Sequence, residues 1–451
     1  MRSAGSAATG ETREGDASEA QEPAPAEAGA SSPAEAEAGA SGTPPSEPAA
    51  PEPILLTAPR DGTPTPITTV AELAAAAARF AAGTGPVAVD AERASGYRYT
   101  HRAYLVQLRR EGAGTVMVDP LPFDDLTVLQ AAIADTEWIL HAASQDLPCL
   151  AELKLLPPRL FDTELAARLC GLERVGLAAL TENLLGYRLE KHHSAADWST
   201  RPLPASWLAY AALDVELLLE LREILGTELE KQGKSEWAAQ EFAALAASAG
   251  APPRLRADPW RRTSGIHRVR GARALARVRA LWQARDQIAA RRDVSPGRVL
   301  ADAAIVQAAE ADPKDERTLL QITGFGGRSV RRLASVWLDA LSDARALPES
   351  QLPVSPPADG PPPPHRWAER DPVAAGRLAR SRAVVADLSA NHHLPPENIL
   401  APDLVRRLAW TPPRPPTPEA VTVVLRALGA RPWQTDLTAE RLAEALVPPT
   451  Q

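Results

Sequence analysis

Residues 85–92 read GPVAVDAE. Gly85 and Pro86 punctuate the chain, and the Val-rich apolar run behind them predicts a short buried strand. Side chains alternate faces along a strand, so Asp90 and Glu92 share one face near its exit. Two like charges set side by side there are costly unless a cation neutralises them.

Two further stretches bring acidic groups to comparable places. In WILHAASQDL (138–147) the first residues predict a second short apolar strand, and Asp146 falls in the turn where a helix begins. Residues 204–231 have helical periodicity and few β-branched side chains, which predicts one helix with Tyr210 and Asp214, four apart, on one face. Each feature alone has an ordinary explanation: a chance DxE pair, a helix cap at Asp146, an amphipathic helix around Tyr210. Together, strand ends and a helix face are a common way to converge oxygen ligands on hard divalent ions.

In this order DAE, HAASQD and YAALD resemble the exonuclease motifs of the DEDD superfamily, in its subgroup with a tyrosine four residues before the last aspartate. The flanking text is similar to the ribonuclease D family: RAYLVQL (102–108), FDTELAARL (161–169) and LLGYRLEKHHSAADWSTRPLPASWLAYAALDVELL (184–218). The likeness covers roughly residues 85–235. Arg93 departs from it, standing where such enzymes commonly carry an aromatic side chain; this bears on local packing or substrate contact and leaves the metal ligands untouched.

The resemblance implies an α/β ribonuclease H-like domain, a mixed sheet flanked by helices, that hydrolyses RNA from its 3′ end and releases nucleoside 5′-monophosphates. It also implies two divalent ions, Mg2+ or Mn2+, held about 3.5 to 4 Å apart. By analogy Asp90, Glu92 and Asp214 hold the ion that activates water, Asp90 bridges, and Asp146 holds the second ion. Tyr210 then orients the attacking water, since a phenol of pKa near 10 is a poor base at pH 7. His141 reads as a structural neighbour of the site. His192 and His193 fall in a polar loop, where a solvated role is the default. Lys191 and Arg201 are candidate phosphate contacts.

Composition divides the 451 residues further. Residues 1–60 hold ten acidic and three basic side chains among Ala, Pro, Gly, Ser and Glu, which predicts a disordered acidic tail. The formal net charge of −8 thus hides a basic stretch, because residues 254–298 carry thirteen arginines against three aspartates. There the chain becomes an Arg-rich amphipathic helix with Leu275, Val278, Leu281 and Trp282 at helical spacing. A solvated charged face is the bland reading and a phosphate-binding surface the sharper one, with Arg273 and Arg277 as candidate contacts. RALWQARDQIAARRDVSPGRVLAD (279–302) and LLQITGFGGRSVRR (319–332) are similar to the HRDC domain, a small all-α module.

A Pro-rich run follows, and ARSRAVVADLSANHHLPPENIL (379–400) then parallels ALWQARDQIAARRDVSPGRVL (280–300), which predicts a second HRDC-like unit. The expected layout is a tail (1–60), an exonuclease domain (61–250), an HRDC domain (251–350), a linker (351–365) and a second helical unit (366–451). Cys149 and Cys170 are the only cysteines, neither in a CxxC pair, which fits a reducing cytoplasm without disulfide or zinc. No apolar run reaches the roughly 18 to 20 residues of a membrane span, and residues 1–16 lack the apolar core of a signal peptide. The expected partner is a single-stranded RNA 3′ end, tRNA precursors foremost, bound by a monomer. The alternatives are a DNA exonuclease and a non-catalytic RNA-binding or HRDC adaptor protein.

Overall fold

In chain order the strands are β1 (Ile54–Leu56), β2 (Thr84–Arg93), β3 (Ala103–Glu111), β4 (Gly114–Val118), β5 (Glu137–Leu140), β6 (Arg159–Asp162) and β7 (Tyr187–Leu189). Strands β2 to β6 form one mixed sheet in the order β4-β3-β2-β5-β6, antiparallel between β2, β3 and β4 and parallel between β2, β5 and β6. The central strand is β2, and Val87, Ala88 and Val89 are wholly buried. Covered on both faces, it needs an unbroken apolar run in place of alternation. This computed structural model describes residues 52–190, 195–251, 256–354 and 360–447; Lys191, His192, His193 and most of the acidic tail lie outside them.

Eight helices accompany the sheet: α1 (Val70–Ala82), α2 (Thr127–Ala132), α3 (Leu147–Glu152), α4 (Thr163–Leu169), α5 (Leu177–Leu180), α6 (Ala205–Glu216), α7 (Leu218–Lys231) and α8 (Ser235–Ser248). Two expectations need correction. The single helix over 204–231 is two, because Leu217 leaves helical geometry at φ −111° and ψ 6°. The turn lets Asp214 and Leu218, on separate helices, line the same cavity. The expected tail also ends earlier than residue 60: β1 pairs in parallel with β7, and Arg60 donates its Nε to the fully buried Glu216 at 2.7 Å.

A first helical unit holds α9 (Ala272–Arg292), α10 (Pro296–Val299), α11 (Asp302–Ala311), α12 (Glu316–Leu320), α13 (Arg328–Arg331) and α14 (Ala334–Ala346) around its own core of Val278, Leu281, Ile305, Phe325 and Trp337. A second holds α15 (Trp367–Arg370), α16 (Pro372–His392), α17 (Pro396–Ile399), α18 (Pro402–Trp410), α19 (Pro418–Ala427) and α20 (Pro432–Leu446). Helices α16 to α18 repeat α9 to α11 with the numbering advanced by one hundred. Both long helices have 21 residues and stop at a left-handed residue, Asp293 (φ 45°) and His393 (φ 52°). In both, an arginine donates its Nε to a carbonyl, Arg277 to Ala309 (2.7 Å) and Arg377 to Ala409 (2.8 Å).

The repeated units seat on the exonuclease domain in different ways. The first grips the loop that leaves β2: Ser295 N–H donates to the Tyr97 carbonyl (2.9 Å), Arg298 covers the Tyr97 ring at 4.0 Å, and Asp293 accepts from the backbone of Tyr99 and Thr100 (both 3.2 Å). The second shares a core with the sheet domain and stacks Trp433 on Trp237 at 4.7 Å. Lys234 donates its Nζ to the carbonyls of Leu169 and His392, each at 2.8 Å. Gly171 (φ +81°) passes so near that a Cβ there would meet the His393 carbonyl oxygen at 2.5 Å, so only glycine fits.

Candidate active site

The central strand sets the site. Asp90 faces Gln107 and Glu92 faces Leu105 across the β2–β3 ladder, placing both acids on one face as the alternation predicts. Helix α6 packs against β2 and β3 and brings Asp214 to them. Carboxylate oxygens of Asp90, Glu92 and Asp214 lie within 4.8 Å of one another. Asp146, at the join of the turn after β5 and α3, lines the same cavity of about 360 Å³ with Tyr210, His141 and Leu218.

Electrostatics follow from this crowding. Burial pushes the Asp90 carboxyl up to about 6, and burial with the charge of Asp90 pushes Asp146 up to about 8. Glu92 and Asp214 are raised well above their ordinary values, first by burial and then by the neighbouring carboxylates. Mutual destabilisation of buried anions is what a bound dication relieves, and four oxygen-donor side chains suit a hard ion such as Mg2+ or Mn2+. The donor set therefore fits the metal chemistry expected from the sequence.

Tyr210 stands one helical turn before Asp214 and is hydrogen-bonded to it. Burial and that carboxylate drive its phenol pKa upward, so it stays protonated as a donor. Its ring lies 6.5 Å from the buried Trp198, which itself meets Trp207 edge-on at 5.4 Å. The AADWSTRP stretch thus forms the wall that holds the tyrosine. Burial lowers His141 to about 4, and its Nδ1 is 2.9 Å from Thr163 Oγ1, so it lines the site as a neutral ring.

The structure gives the expected phosphate contacts other partners. Arg201 forks onto Asp119 (2.6 and 2.9 Å) and donates to the carbonyls of Tyr104, Trp198 and Thr200, which uses the guanidinium to pin the loop to the sheet. Arg277 bonds Ala309 and faces Asp312 at 3.7 Å. Arg273 donates to the carbonyls of Arg345 and Leu347 (3.1 and 2.6 Å). All three donate to acceptors of the fold, Arg273 at the surface, because a fork of donors satisfies carbonyls as readily as phosphate. Lys191 lies outside the described residues.

Two contacts at the site were not foreseen from the sequence. Asp162 is buried, caps α4 and accepts the N–H groups of Ala142 and Ala143 (3.3 and 2.8 Å), which fixes the turn carrying Asp146. Its signal was present, since an aspartate before Thr-Glu-Leu is a common helix cap. The other is an ion pair of Arg93 with Asp146 at 3.7 Å, for which no local pattern exists.

A ribonuclease H-like sheet presenting this carboxylate cluster with an adjoining tyrosine defines a divalent-metal 3′–5′ exonuclease. A 3′–5′ exonuclease family model matches residues 64–230, an HRDC domain model residues 274–341, and a model of the 3′ to 5′ exonuclease C-terminal domain residues 360–446. Ribonuclease D of Acidiphilium cryptum is 32% identical over 378 residues, covering 80% of this chain and 88% of the relative. A crystal structure of a protein from Bifidobacterium adolescentis matches with a TM-score of 0.81 at 40% identity, covering 88% of this chain and 100% of that one. Escherichia coli RNase D, an exoribonuclease involved in structured RNA processing, matches with a TM-score of 0.62 at 26% identity over 85% and 98% of the two chains. The chain belongs to the ribonuclease D family and is a 3′–5′ exoribonuclease.

Proposed function

We propose that this exoribonuclease matures the 3′ ends of structured RNAs, tRNA precursors foremost, acting as a cytoplasmic monomer with two Mg2+ or Mn2+ ions. The observation that carries the reading is the approach of Asp90, Glu92 and Asp214 to within 4.8 Å beneath Tyr210. In it, Asp90, Glu92 and Asp214 would hold one ion, and Asp146 with Asp90 would hold the second. When bound, the ions supply a nucleophilic water at neutral pH and stabilise charge on the attacking and leaving oxygens.

The remaining work falls to the chain. Tyr210 keeps its proton and orients the attacking water through its hydroxyl, while its bond to Asp214 orients the two side chains relative to each other. Water adds to phosphorus as the P–O3′ bond breaks, and the departing 3′-oxygen takes up a proton. The products are a nucleoside 5′-monophosphate and an RNA one residue shorter. Structured RNA as substrate is supported by the kinship with the Escherichia coli enzyme. No helix among the described residues is long and apolar enough to cross a membrane.

Residues 61–250 serve as the nuclease, with β1 added at its edge, and the two helical units (251–350 and 366–451) as RNA-guiding modules joined by the linker 351–365. Because Arg201, Arg273 and Arg277 already donate to acceptors of the fold, the exposed Arg262, Arg270, Arg291 and Arg292 are the better candidates for phosphate contact. The test is a gel assay on 5′-labelled tRNA precursor, single-stranded RNA and matching DNA, with Mg2+, Mn2+ or EDTA. A metal-dependent ladder shortening from the 3′ end, stronger on RNA and absent in Asp214→Asn, is expected. An equal ladder on DNA would favour the DNA exonuclease, and RNA binding without cleavage would favour the non-catalytic scaffold.

A further inference from the structure

We propose that Arg93 is a phosphate anchor of the active site: it rests against Asp146 while the site is free of RNA and turns to a phosphodiester oxygen when the strand enters. This rests on the metal-dependent exonuclease reading above. Three observations carry it.

The first is aim. A regular strand would send Arg93 to the face opposite Glu92. The β2–β3 register shifts between Glu92 and Arg93, where Tyr104 of β3 is passed over, so the ladder is bent where Arg93 leaves the strand. The guanidinium consequently comes to 3.7 Å from the Asp146 carboxylate. The backbone beyond it is fixed by the first helical unit, through Tyr97 and Tyr99.

The second is availability. At 3.7 Å the pair attracts without a well-formed hydrogen bond. Among the described residues no hydrogen bond holds the Arg93 guanidinium, whereas Arg201 and Arg277 donate theirs to the fold. With 28% of its side chain exposed at the edge of the carboxylate cluster, Arg93 is partly desolvated and still has donors to offer. A planar fork of this kind matches a phosphodiester better than a single ammonium does.

The third is charge. Four carboxylates and two dications would sum to zero, so Arg93 would leave the metal-loaded site with a net positive charge toward an incoming phosphodiester. Arg93 adds the positive charge that draws the strand in. Its field also acts on Asp90, Glu92 and Asp146 together, so it is felt across the whole cluster.

The two roles predict effects of opposite sign. Removing a cation from beside a metal ligand strengthens metal binding, because a dication feels the guanidinium twice as strongly as a proton competing for the same oxygens. Removing a phosphate contact weakens RNA binding. Wild type, Arg93→Ala and Arg93→Lys would be compared by calorimetric titration with Mn2+ in the absence of RNA, and by kcat and KM on a short single-stranded RNA. Arg93→Ala should bind Mn2+ up to about fivefold more tightly and raise KM about tenfold, with Arg93→Lys recovering part of the KM. Constants unchanged in Arg93→Ala, or metal and RNA binding both weakened, would overturn the anchor and leave a packing role. A wild-type protein that neither binds Mn2+ nor cleaves RNA would instead overturn the metal site itself, a distinguishable failure.

Discussion

Tyr99, on the loop that leaves β2, donates its hydroxyl to the Asp286 carboxylate of α9 at 3.1 and 3.2 Å. About two turns further on, at the left-handed stop of α9, Asp293 accepts the neighbouring backbone N–H groups. The loop thus joins the strand bearing Asp90 and Glu92 to the first helical unit.

Asp293→Ala should loosen that seat. It strips acceptors from Tyr99 and Thr100 at a partly exposed junction, a loss of about 1 kcal/mol. Denaturant unfolding should show the drop, and faster proteolysis at the boundary between the nuclease and the first unit should accompany it.

Asp90→Ala and Asp214→Asn should each lower single-turnover cleavage by about a thousandfold or more, since each removes a ligand whose role is shared by the whole cluster. Filter binding of RNA should change little. Cleavage at the wild-type rate by both variants would show that the reaction centre lies elsewhere.

The raised carboxyls make a pH prediction for protein kept in EDTA. Asp90 at about 6 and Asp146 at about 8 bind protons more tightly folded than unfolded. Between the unfolded carboxylate pKa near 4 and those folded values the native state holds more protons, so stability falls as pH rises, by at most about 1.4 kcal/mol per unit for each group. Thermal melts from pH 4 to 8.5 should decline across that window. Added Mn2+ should restore the loss most strongly at the alkaline end, where fewer protons need displacing.

Tyr210→Phe keeps the ring against Trp198 and deletes the hydroxyl. A fall in kcat of about a hundredfold with an unchanged Mn2+ affinity is expected for a group that positions water. A matching loss of metal affinity would mean that its bond to Asp214 is the part that matters.

Arg201→Ala should act through stability. The buried Asp119 would lose its fork and three carbonyls would lose a donor, a cost of about 2 to 4 kcal/mol. The salt dependence of RNA binding by the folded fraction should keep its slope, as expected for an arginine that touches no phosphate.

The carboxylates were legible because each motif is local: alternation in β2, a turn after β5, a four-residue step on α6. The repeat was legible for the same reason, since its helix, turn and proline are close in sequence. Arginine roles were not, because composition cannot say that Arg201 will meet Asp119 across 82 positions or that Arg277 will meet Ala309 across 32. The break at Leu217 carries no proline or glycine and follows from tertiary burial of Glu216 against Arg60 and Arg109. Likewise the strand at Ile54–Leu56 sits at the edge of an acidic, proline-rich stretch and exists by pairing with β7.

Surface loops are ordinarily where related chains grow and shrink. Residues 94–102 form a surface connection denied that freedom. One end continues the strand bearing Asp90 and Glu92, the other enters β3 in register, and its middle is tied to α9 through Tyr97, Tyr99 and Thr100. An insertion there must displace either the ladder or the helical unit. Chain length in this nine-residue span is therefore fixed by two bodies at once, and tolerated insertions in this enzyme are expected at other turns.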